Sequence, residues 1–217
     1  MTKILSFLMI ILLTGMMLSG CRGNTQPTES SSTGGTTLPS TQTTPTQTTQ
    51  STEGTPAGTA TTQSAQILNS IWQTYGENER FAAYGGAIEN SVTDAPGDLD
   101  MQNTEELTTR YLLPESSLQE VTEGASLVHM MNSNIFTGVV FKLSEDASAE
   151  DLAKDWRDAI QGNQWICGMP DRLLLADVDG QHLLMVFASK DILTTFQDKL
   201  TGQYPQARIL YNEAVVS

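Results

Sequence analysis

The chain has 217 residues, with 25 Asp and Glu against 11 Lys and Arg, two histidines, two cysteines and a net charge of −14 at neutral pH. Affinity for nucleic acid is carried largely by Lys and Arg on phosphates, so this balance excludes a nucleic-acid partner and argues against anionic lipid or wall polymers bound by charge alone. Polar low-complexity sequence fills much of the first third, and the acidic charge lies in the remainder.

Lys3 precedes a 15-residue apolar run, Ile4 to Leu18, whose only polar side chains are Ser6 and Thr14. A membrane-crossing helix needs about 20 apolar residues, so the run has the layout of a secretory signal peptide rather than a span. It closes on Leu18-Ser19-Gly20-Cys21, which resembles the lipobox of bacterial lipoproteins. The small residues let the peptidase bind an extended chain, and the free thiol takes a diacylglyceryl group. The resemblance implies residues 1–20 as a removable leader and Cys21 as the lipidation site. Two acyl chains hold a protein on a bilayer where one does not, at about 0.8 kcal/mol per buried methylene. With Cys21 used in this way, only Cys167 is left and no intramolecular disulfide can form.

From Arg22 to Ala65 the chain is Thr, Gln, Ser, Pro and Gly, with Leu38 its one large aliphatic residue. Such a segment cannot bury enough apolar surface to offset its ordering entropy, so residues 21–65 read as a lipidated Cys followed by a disordered tether. A flexible coil of this length spans about 40 Å and reaches about 150 Å when stretched. Residues 66–217 read as one compact acidic domain with 9 basic and 23 acidic residues. That length buries roughly 70% of its unfolded surface.

Within that domain, Ile67, Leu68, Ile71, Trp72 and Tyr75 line one helical face, and Gly76 follows. A turn-rich stretch holds Gly85-Gly86 and Pro96-Gly97, and then Asn103 and Glu106 cap a short helix stopped before Pro114. "ASLVHMM" and "IFTGVVFKL" are strand-length apolar runs around the turn-prone "NSN". Ser148 and Asp151 then cap a helix bearing Leu152, Trp156, Ala159 and Ile160, which ends at Gly162. "RLLLADVDGQHLLMVFAS" is a hairpin turning at Asp179-Gly180. A helix with Ile192, Leu193, Phe196 and Leu200 and a strand "ARILY" complete the chain. The order gives two ββα units and predicts an α+β fold: an antiparallel sheet with the amphipathic helices on one face and the N-terminal helices at an edge or end.

Leu118 to Leu200, with "LQEV", Met130-Met131, "VVFK", an acidic amphipathic helix and "MVFAS", resembles a domain of uncharacterised function in small lipoproteins of Gram-positive gut bacteria. The resemblance implies a fold and a location and transfers no site residues.

The chemistry-bearing residues are few. Cys167 with His129 or His182 is the minimum for a thiol nucleophile, yet "QWICGMP" carries no family signature and a Cys between apolar neighbours reads as a small buried hydrophobe. His129, Met130, Met131, Met169, Met185 and Cys167 are soft ligands of the kind copper takes, but strand neighbours alternate between faces, so core packing is the better reading. Asp94, Asp98 and Asp100, followed by Asn103 and Glu105, offer oxygens for calcium without EF-hand spacing; turn chemistry accounts for such a loop, and for Asp177 and Asp179. The pattern singles out no catalytic residue, metal ligand or cofactor. The expectation is an extracytoplasmic lipoprotein, anchored to the cell membrane through Cys21, whose head is a non-enzymatic binding or interaction module for an envelope protein or small molecule. The alternatives are an envelope hydrolase using acidic residues and a structural subunit of an envelope complex.

Overall fold

A computed structural model describes residues 61–131, 135–166 and 168–216. The expected leader, Cys21, most of the tether, and Cys167 lie outside the described residues. The first helix, α1 (Gln63–Trp72), is capped by Thr62, whose hydroxyl accepts from the Ala65 N–H at 3.1 Å. Residues Thr62 to Ala65, which composition groups with the tether, therefore form the cap and first turn of a helix. Ala65, Leu68, Ile71 and Trp72 have no exposed surface.

The turn-rich stretch contains three short strands, β1 (Ala83–Gly85), β2 (Val92–Thr93) and β3 (Gly97–Asp98). Two to three residues give no periodicity to read, so sequence shows only their turns. Gly85 and Gly97 bring two backbones together: a Cβ on Gly97 would lie 2.8 Å from the Gly85 carbonyl oxygen. Then come α2 (Thr104–Thr109), β4 (Val121–His129), β5 (Phe136–Leu143) and α3 (Ala149–Gln161). The chain ends with β6 (Arg172–Asp177), β7 (His182–Ala188), α4 (Lys190–Gln203) and β8 (Arg208–Ala214). The predicted caps form: the Asn103 side chain accepts from Glu106 N–H and Ser148 from Asp151 N–H, both at 3.2 Å.

All pairings are antiparallel, in one eight-stranded sheet of order β2-β1-β4-β5-β7-β6-β8 with β3 also on β4. The two ββα units, β4-β5-α3 and β6-β7-α4, are present, and the fold is α+β. One feature of the predicted layout is corrected: the helices do not share a face. Leu193, Phe196 and Leu200 of α4 pack with α1 against Leu174, Ala176, Leu184, Val186 and Ala188. Leu152, Trp156 and Ile160 of α3 pack against Leu173, Leu175, Leu183, Met185 and Phe187, the alternate residues of the same strands. Successive strand side chains point to opposite faces, so the unbroken apolar runs of β6 and β7 demand cover on both. The first helix lies on a face as well, against β4 and β5 beside α4, rather than at an edge.

Candidate functional site

Two segments meet at the end of the sheet where β5 begins and β7 ends: the described residues flanking the β4–β5 turn and the described residues between α3 and β6. Ser189 N–H donates to the Ile135 carbonyl at 2.9 Å and Asp171 N–H to Ala188 at 3.0 Å, fixing the strand ends there. Between the segments is a groove of about 350 Å³, lined by Val128, His129, Met131 and Ile135 to Thr137 on one side and by Asn163 to Ile166 and Gly168 on the other. Thr109, the last residue of α2, closes it.

The rim is apolar. Six large apolar side chains are exposed among the described residues, and four of them, Met130, Met131, Ile166 and Met169, lie on these two segments. Ile166 is 92% exposed. This corrects the reading of the methionines as core: Met185 is fully buried, but Met130 and Met131 leave β4 as the hairpin turns, and Met169 sits in the loop. Isolated exposed apolar residues are ordinary, whereas a cluster beside a cavity marks an interaction surface.

Inside the groove, Trp165 packs edge-on against Phe187 at 5.2 Å, and its indole N–H is buried with no hydrogen-bond partner among the described residues. His129 is largely buried and stacked on Phe81 at 4.8 Å. Its Nδ1 accepts from the Met131 N–H at 2.9 Å, which places the ring proton of the neutral form on Nε2. Burial holds this imidazole below the usual histidine range. His129 was legible as a strand histidine; Trp165, Asn163 and Thr137 carried no motif, because their nearness depends on strand register.

The other candidates are drawn into structure. His182 has no exposed surface; its Nδ1 lies 3.0 Å from both carboxylate oxygens of Asp179, and its Nε2 is 3.8 Å from Glu123 Oε1. Asp177 and Asp179 accept from the backbone of their own turn, at 2.6 Å from Gly180 N–H and 2.9 Å from His182 N–H, as turn chemistry predicts. A charged depression of about 370 Å³ beside that turn contains Arg208, which donates to Asp177 at 2.7 Å. The acids of the "DAPGDLD" loop go to separate partners: Asp94 lies 3.7 Å from Arg80, Asp98 accepts from the Thr62 hydroxyl at 2.6 Å, and Asp100 accepts from Gln102 N–H at 2.9 Å. Among the described residues no three His, Cys, Asp or Glu side chains are placed to share a metal ion, and no helix is long and apolar enough to cross a membrane.

Comparison with protein-family models, curated proteins and solved structures finds no match to the chain.

Proposed function

We propose that the chain is a lipid-anchored extracytoplasmic binding module. A diacylated Cys21 is the membrane hook, the Thr-rich segment is the tether, and the α+β head receives a partner in the groove at its hairpin end. The groove carries the reading: a small-ligand-sized cavity lined by exposed Met131 and Ile166, with exposed Met130 and Met169 on the same two chain segments. The leader and lipobox supply the location.

The test places a photoreactive residue at exposed Ile166 and, for comparison, at exposed Asp198 on α4, in cells making the full chain. Adducts of defined mass at 166 and not at 198 are expected. Equal adducts at both positions, or none at 166, remove the groove as the working surface. Cys21→Ala is expected to release the protein from the membrane fraction, and retention would discard the lipid hook.

A further inference from the structure

The ligand class follows from what the groove lacks in charge and what it offers in hydrogen bonds. We propose that it binds a neutral sugar, one or two rings of an uncharged oligosaccharide; this rests on the groove being the working surface.

The chain is strongly acidic, yet none of the residues lining the groove is Asp, Glu, Lys or Arg. An ionic ligand entering here would give up hydration with no opposite charge to replace it. A purely apolar ligand fits no better, because it would cover the lining amides of Asn163 and Gln164 without pairing them. The lining hydroxyls of Thr109 and Thr137 and the amides of Asn163 and Gln164 each donate and accept, which matches sugar hydroxyl groups that do both. Trp165, which is partly exposed, adds aromatic surface for the C–H face of a sugar ring.

An extended peptide is disfavoured by topology. Peptides that dock on sheets add a strand to a free edge. At the groove β5 is hydrogen-bonded on both sides, to β4 and to β7, and β4 is paired to β1 and β3 on its other side. At about 350 Å³ the cavity is at the small end of ligand clefts, which suits one or two rings.

The test titrates the full chain, in a detergent without a sugar headgroup, with cellobiose, maltose, lactose, mannobiose and N,N′-diacetylchitobiose. A sulfated disaccharide and a neutral Met/Leu tetrapeptide are run beside them. Trp72 and Trp156 have no exposed surface, and their indoles donate to Asp94 and Tyr111 carbonyls, so a change in emission reports Trp165. Saturable binding of at least one neutral disaccharide, insensitive to added salt, is expected. By calorimetry, Asn163→Ala, which removes a lining amide, should weaken that binding by about tenfold. If Asn163→Ala does not fold, Gln164→Ala in the same loop serves and should weaken binding as well. Binding of the tetrapeptide alone would overturn the sugar assignment and leave the binding-module reading standing. Binding of the sulfated sugar alone, or of no probe, would overturn the assignment, and the Ile166 adducts then decide the broader reading independently.

Discussion

The carboxylate of Glu123, on β4, accepts from both the backbone N–H and the hydroxyl of Ser64, at 2.9 and 3.1 Å, in the first turn of α1. Ser64 has no exposed surface, so this carboxylate is the means by which the N-terminal end of α1 is satisfied and held to the sheet. A negative group at a helix N-terminus also meets the positive end of the helix dipole. Glu123→Gln keeps the shape and one acceptor but removes the charge. It should lower unfolding free energy by about 1–2 kcal/mol in urea titrations, in line with hydrogen bonds to charged groups. An unchanged midpoint would mean that α1 is held by its apolar face alone.

Two buried tyrosines differ in how their hydroxyls are met. Tyr111 Oη is 3.1 Å from Ser126 Oγ and 3.4 Å from the Gly86 carbonyl, whereas Tyr75 Oη is buried without a partner among the described residues. Tyr111→Phe should therefore cost about 1 kcal/mol, and Tyr75→Phe should be neutral or slightly stabilising, because it removes a dry hydroxyl. Burial pushes the Tyr111 phenol up to about 12, and burial with the nearby Glu79 raises Tyr75 further. The unfolded chain ionises first, near 10, so stability is intact below that pH and falls as pH rises through about 12. Absorbance of tyrosinate should show both phenols titrating only with unfolding. Ionisation of either one in the folded protein near pH 10 would contradict their burial.

The core of this fold is legible because its signals are local. Caps at Asn103 and Ser148, the Asp179-Gly180 turn and the helical faces of Ile67–Trp72 and Leu152–Ile160 are each set by neighbours within four residues. The two-sided burial of the sheet was also written in the chain, in the unbroken runs "RLLLA" and "HLLMVFA", which alternate with nothing polar. The ββα order suggested one-sided cover, and the strand pattern overrides it. The groove was not legible. Trp165 and Thr137 are neighbours there because β5 and β7 pair with Thr137 opposite Phe187, and Trp165 packs on Phe187. No short spacing encodes that. Met130 and Met131 were read as gap-fillers because a methionine beside an apolar strand looks the same whether the strand continues or turns away.

His129 makes the hairpin end sensitive to acid. Two features favour its neutral ring: burial lowers its proton affinity, and its Nδ1 is already occupied as an acceptor for Met131 N–H. The unfolded chain therefore protonates first as pH falls below about 6.5. The stability contributed by the neutral ring is whole above that value and is lost as pH falls through the lower, folded pKa. Most carboxylates titrate near 4, so the interval just below 6.5 separates imidazole from carboxylate, and the His129→Phe comparison assigns the change to His129. Proton NMR should give one ring titration with a midpoint below 6.5, absent in His129→Phe, and protonation should release the Met131 amide and loosen the groove wall. A midpoint at or above 6.5 would show that the ring is solvated and that the hairpin end is open to water, leaving the groove without its neutral histidine.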